Sequence, residues 1–324
     1  MTVFIIRRLM QAVVVLLVMS LIVFVGVYLI GNPADVLIAA DADQRERERA
    51  IIALGLDKPL WEQYLFFLGG ALHGDLGKSF VYNIPALQLI VQRMPATIEL
   101  ALAAMLIAVG LGIPLGMYAG YRPQSVLART IMAGSILGFS LPTFWVGLML
   151  IMVFAVQLGW LPSTGRGATG TVFGITTSLV TRDGLAHVLL PGLNLALFNL
   201  ALVIRLTRAG MQENMPMDYV KFARAKGLTI RRVIFVHVFK NILIPLITVI
   251  GLQLGAVFAF AVVTETVFAW PGMGKLIIDS INRLDRPVVV AYLLVTVTMF
   301  VVINLVVDIL YSVLDPRVRL SDKS

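Results

Sequence analysis

Six stretches of this chain carry no charged residue: positions 9–34, 100–121, 130–165, 184–204, 241–264 and 287–307. A bilayer core about 30 Å thick is crossed by about 20 helical residues, and each stretch can supply them. No single water-soluble core hides that much apolar chain. The sequence is 59% hydrophobic and 14% charged, whereas a soluble domain carries about 25% charged residues. The pattern predicts an all-α membrane protein with six transmembrane helices.

Two windows need argument. The N-terminus begins like a secretory signal, with Arg7 and Arg8 before an apolar run. The run continues to Ile30, past the roughly 7–15 residues of a signal core, and no small-residue cleavage site follows. It reads as a retained first helix. The 130–165 window is long enough for two short spans, but Leu161-Pro162-Ser163-Thr164-Gly165 reads as loop, so one span is expected there.

The net charge of +8 would suggest nucleic acid in a soluble protein. Here its placement explains it. With six spans both termini share a side, and that side carries 15 of the 26 Lys and Arg with four carboxylates. The other side holds 11 basic and 12 acidic groups. Basic residues concentrate on the cytoplasmic side of membrane proteins, so both termini are expected to be cytoplasmic and the partner surface is membrane lipid, with no nucleic acid.

The chain reads as one membrane domain, 1–324. A large external loop, 31–96, is expected to hold short helices near Gln44–Leu54 and Leu60–Leu72. A further segment, Leu87–Met94, is expected to end at Pro95, with Thr97 capping the second span. The cytoplasmic loop, 205–240, is the other large connection. Gly112, Gly116 and Gly120 stand four apart, as do Gly134 and Gly138, and Gly251 and Gly255; such spacing lets helices approach closely.

Catalytic patterns fail. There is no cysteine, hence no disulfide, thiol nucleophile or thiolate metal site. His73, His187 and His237 are too scattered to suggest a metal site. Gly74-Asp75-Leu76-Gly77-Lys78-Ser79 has two residues between its glycines where a phosphate loop needs four, and it falls on the external side, so it reads as a turn. Neither Ser135 nor Ser140 has a nucleophile's setting. Coupled carriers keep ionisable groups inside spans. Here only Asp308 lies well inside one, with Asn304 a turn earlier on the same face; this polar pair reads as a contact near the cytoplasmic end of the last helix. The chain has no recognisable energy source of its own, which points to a partner.

The 205–240 loop suggests where a partner docks. Asp218 suits the start of a short helix, Tyr219–Lys226, and Gly227 suits its left-handed end. Two turns are too few to stand alone in water. The helix must dock, with Tyr219, Phe222 and Ala223 toward a groove and Lys221, Arg224 and Lys226 at the rim.

At this point a resemblance becomes specific. DYVKFARAKG at 218–227, followed by RRVIFVHVFKNILIPL, resembles the cytoplasmic signature of ABC-importer permeases, in the branch serving peptides, glutathione and nickel. LGLDKPLWEQY with HGDLGKS, TETVFAWPGMGKL, and NLVVDILYSVLDPRVR resemble the same branch, in the order found in the first of its two permease subunits. The resemblance implies the type I importer permease fold in a bacterial inner membrane. It implies a second homologous permease, two ATPase subunits that carry ATP and Mg, and a periplasmic substrate-binding protein. It makes Asp218, Tyr219, Lys221, Phe222, Ala223, Arg224, Ala225, Lys226 and Gly227 the coupling segment. It offers Glu265, Phe268, Trp270, Pro271 and Gly272 as a periplasmic gate or binding-protein contact. It assigns no catalytic residue and no cofactor to this chain. The expected function is passage of short peptides or a related small solute. The alternatives are a self-sufficient secondary carrier or channel, and, with less support, a membrane enzyme.

Overall fold

The computed structural model describes residues 2–29, 45, 52 and 57–314. Most of the expected helix near Gln44–Leu54, and the tail beyond Leu314, lie outside them. The elements are α1 (Thr2–Leu29), α2 (Leu60–Leu72), α3 (Ala86–Tyr121), α4 (Val126–Ser140), α5 (Thr143–Gln157), a hairpin of β1 (Gly170–Val172) and β2 (Ile175–Thr177), α6 (Arg182–Asn214), α7 (Asp218–Ala225), α8 (Ile230–Val267), α9 (Met273–Asn282) and α10 (Arg286–Leu314). Five of these, α1, α3, α6, α8 and α10, are long and apolar enough to cross a membrane. The pair α4–α5 qualifies together but bends by 111° at its break.

The chain divides into two compact units. In the unit formed by residues up to Arg93 and by Leu276–Val301, α1 and α2 meet through a 2.8 Å hydrogen bond shared by the Ser20 and Tyr64 hydroxyls and through Phe24, whose ring lies 5.5 Å from Tyr64 and 5.7 Å from Phe67. The Gly74–Ser79 segment is a turn, with Gly74 and Gly77 at φ 79° and 84°. Ser79 Oγ donates to Asp285 at 2.5 Å, and the Phe80 amide donates to the same carboxylate at 3.1 Å. The near-miss phosphate loop thus ties itself to the connection before α10.

The other unit, Met94–Lys275 with the residues from Val302, holds the main core. There α3 packs against α6 along the glycine stripe. A Cβ at Gly112 would fall 2.7 Å from Val203, and one at Gly116 would fall 2.6 Å from Thr207. A Cβ at Gly120 would collide with Met211. Gly251 is pressed in the same way by Val307. Gly134 has open space around it and Gly138 only an ordinary contact with Leu197, so that repeat brings no helix of this chain into close approach.

Two expectations are corrected. Pro95 does not end a helix: α3 runs through it and through Pro114, because helices flanking a membrane tolerate proline where neighbours re-satisfy the freed backbone. Thr97 is therefore inside α3, and its hydroxyl turns to other partners described below. The second correction is the break at Leu141, which the charge-free window concealed. Pro142 cannot donate to the preceding turn and disfavours helical backbone at the residue before it; Leu141 is extended, at φ −82° and ψ 139°. The fold is all-α apart from one short hairpin, β1–β2. Phe173 and Gly174 both have positive φ, the backbone of a tight hairpin turn whose twist suits its strands.

The bent pair runs from one end of α3 to the other. Arg166, after α5, bonds Glu99 near the start of the membrane stretch of α3 at 2.6 Å. The chain leaves α3 for α4 at the opposite end, after Tyr121. Glu99 to Tyr121 spans about 33 Å at 1.5 Å per residue, close to the hydrocarbon thickness. Counting α4–α5 once gives six crossings.

Candidate functional site

At the Tyr121 end of this unit, Met117, Met211, Val233, Val238 and Ile242 form a buried cluster that receives Val220 and Ala223 of α7. Val220 is 1% exposed and Ala223 5%. Two turns of helix are thereby fixed to the bases of α3, α6 and α8. Tyr219 Oη donates to Asn214 Oδ1 at 2.9 Å, tying the helix to the end of α6. Gly227, at φ 77°, terminates α7 in the left-handed conformation that glycine takes without strain. Its amide donates to Arg224 O at 2.9 Å. The backbone then enters α8 through a π-helical stretch, Val233–Val238.

Two details differ from the sequence reading. Asp218 is the first helical residue, after Met217 at the cap position, and makes no side-chain cap. It accepts from Lys221 Nζ at 2.8 Å in an exposed pair; its charge still lies at the positive end of the helix. Ala223 faces the chain's own core beside Val220, which sequence reasoning did not single out. The outward face is left to Phe222, 62% exposed, with Met217 and Tyr219 also exposed. Lys221, Arg224, Ala225, Lys226 and Gly227 are exposed, and Lys226 Nζ stands 4.5 Å from the Phe222 ring centre. The result is a braced lever whose free side is an aromatic knob in a basic rim.

At the Glu99 end, Thr264–Lys275 folds inward. Glu265, Phe268 and Trp270 are buried, with Gly272 buried and Pro271 half-buried. Glu265 accepts from Thr97 Oγ1 at 2.7 Å and from the Lys275 amide at 3.0 Å. Thr97 Oγ1 in turn accepts from the Met273 amide at 2.8 Å. The Glu265 carboxyl thus sits at the start of α9, where it accepts a backbone N–H, and any Cβ at Gly272 would strike it. Trp270 Nε1 donates to Ala96 O at 2.9 Å, which makes it a buried anchor.

Glu99 completes this end. It accepts from Arg166, from Thr177 Oγ1 at 3.2 Å, and from the Ser178 amide and hydroxyl. Gly165 N reaches Phe268 O at 2.9 Å. Sequence reading passed over Arg166, although a lone cation closing a 36-residue charge-free window was a signal. Asn304 and Asp308 lie half-buried one turn apart on α10. Among the described residues no cluster of three His, Cys, Asp or Glu is placed to hold a metal ion.

Comparison with known proteins identifies the family. Residues 112–320 match the family of binding-protein-dependent transport system inner membrane components, and residues 1–101 match that family's N-terminal region. The chain is 40% identical to the dipeptide transport system permease protein of Escherichia coli K12 over 334 residues, covering 98% of each chain. It is 41% identical to the di/tripeptide transport system permease protein of Pseudomonas aeruginosa, again covering 98% of each. It is 38% identical to the oligopeptide transport system permease protein of Bacillus subtilis, covering 98% of this chain and 100% of the relative. The fold matches a chain of the inward-facing MetNI methionine ABC transporter, with a TM-score of 0.54 at 17% identity, covering 70% of this chain and 97% of that one. The chain therefore belongs to the family of binding-protein-dependent transport system inner membrane components, the permease subunits of ABC importers, and is a transport subunit and not an enzyme.

Proposed function

We propose that this chain forms half of the translocation pathway of an ATP-driven importer for short peptides in a bacterial inner membrane, with both termini cytoplasmic. A second permease pairs with it, two ATPase subunits supply ATP hydrolysis, and a periplasmic binding protein delivers the solute. ATP and Mg belong to the partner ATPases; the Gly74–Ser79 turn has its serine committed to Asp285 and does not fit a nucleotide. The peptide substrate class follows the names of the relatives.

The observation that carries this reading is α7. Its inner face is locked to three long helices of its unit, while Phe222 and its basic rim stand free. Movement of a docked ATPase would pass through that lever into α3, α6 and α8. The Glu265–Trp270 segment and the Glu99 cluster, at the other end of the same helices, are the proposed external gate. The polar pair Asn304 and Asp308 is a proposed helix–helix contact.

The test is purification from the native membrane in mild detergent, comparing wild type with Phe222→Ala and Gly227→Pro. Wild type should bring down two ATPase subunits and a second permease. Phe222→Ala removes an exposed ring and should lose ATPase while keeping the permease partner. Proline cannot adopt the φ of 77° at position 227, so Gly227→Pro should loosen the ATPase further. A lone chain or homo-oligomer, unchanged by either substitution, would replace this reading with a secondary carrier.

A further inference from the structure

The break between α4 and α5 opens a cavity that neither end of the unit uses. It holds about 50 Å³, room for about three or four waters or one amide-sized group. Leu141 and Thr143 of the break line it, with Asn194, Phe198 and Asn199 of α6 and Phe260 of α8. Phe198 stacks between Phe139 and Phe260, with ring centres 4.9 Å and 5.8 Å away. Leu200, next to Asn199, faces Gly112, about midway between Glu99 and Tyr121. The cavity therefore lies near the middle of the membrane stretch.

Two side chains in it are not satisfied by the protein. Asn194 is 2% exposed and Asn199 5%. Asn194 Nδ2 donates to Thr264 Oγ1 at 3.0 Å, but its Oδ1 has no partner, and neither has Asn199 Oδ1. A buried carbonyl without a donor is costly, more so where lipid surrounds the helices. Two such groups facing one cavity in a broken span call for a guest that brings N–H donors. In secondary transporters, discontinuous helices near the membrane midplane hold the transported solute.

We infer that Asn194 and Asn199 accept hydrogen bonds from the backbone amide N–H of a peptide in transit, with Phe139, Phe198 and Phe260 forming the apolar wall beside it. This rests on the peptide-importer reading and gives that reading a subsite. The chemistry suits the task. A neutral carboxamide recognises the one group every peptide carries, whatever its side chains. It also holds that group weakly enough to release it, as any pathway site must.

The test is uptake into proteoliposomes holding the whole importer, with its binding protein. The probes are alanyl-alanine and its depsipeptide, in which an ester oxygen replaces the amide N–H. Any preference of the binding protein affects wild type and variant alike, so the ratio of the two uptakes reports the permease. In Asn199→Leu the preference for the amide should fall about fivefold, as for one hydrogen bond lost, with basal ATP hydrolysis and subunit content unchanged. Asn194→Leu is the second variant, because Asn194 also holds Thr264. An unchanged ratio, or equal loss of both solutes, overturns the inference alone. No ATP-dependent uptake of any peptide by wild type overturns the importer reading and the subsite with it.

Discussion

Around Glu99 one carboxylate gathers an arginine, two hydroxyls and a backbone amide. Its side chain is 3% exposed and that of Arg166 14%. Removing one member of a buried pair leaves the other charge uncompensated, typically at about 3–5 kcal/mol, whereas replacing both by apolar residues is often near neutral. Glu99→Gln should therefore lower the midpoint of thermal unfolding in detergent clearly. Glu99→Leu with Arg166→Met should recover most of the loss, and a double variant as unstable as the single one would assign the effect to the hydroxyl and amide bonds. Little of this was legible in the sequence. Glu99 and Arg166 are 67 positions apart, and pairing across that distance is set by how α3 and the hairpin meet. Gly227 was legible, because a helix's last residue and the glycine after it are a local matter.

Among the elements, the contrast between glycine stripes decides what spacing means. Gly112, Gly116 and Gly120 share one face of α3 and receive Val203, Thr207 and Met211 of α6. Gly116→Leu would force side-chain atoms into Thr207 and the Ile204 backbone, 2.6 and 2.7 Å from a Cβ there. Overpacking of this kind costs about 1–3 kcal/mol, and against backbone it has little relief. A Cβ at Gly134 meets nothing within 4 Å, so Gly134→Leu should leave unfolding in detergent unchanged. Equal effects at the two sites would mean that helix propensity outweighs contact. Both glycine pairs looked alike in sequence, since period shows which residues share a face but not what lies opposite. Long helices were legible for a stronger reason: lipid leaves the backbone no other partner than itself. The Pro142 break escaped because hydropathy does not register a bend, and Pro95 misled because proline's local penalty was overridden by the surrounding helix.

For the whole molecule, crossing number and sidedness are separate questions. The Glu99–Arg166 bond returns the chain to the end of α3 from which that helix entered the membrane stretch, so in spite of its 111° bend α4–α5 counts as one candidate crossing. The charge distribution is the basis for the proposed orientation, which puts Lys221 in the cytoplasm. The chain has no cysteine, so single cysteines can be introduced without removing any. Gln124→Cys and Lys221→Cys should resist a membrane-impermeant maleimide in intact cells and react after permeabilisation of the inner membrane, whereas Phe173→Cys, at the fully exposed hairpin tip, should react once the reagent reaches the periplasm. If Gln124 and Phe173 label from the same side, α4–α5 is re-entrant, the two termini part company, and α7 no longer faces an ATPase. If the two differ but Lys221 labels with Phe173, α6 fails to cross, which the packing of Gly120 on Met211 at its far end forbids. The labelling of three positions therefore tests the bend, the charge rule and the placement of the lever together.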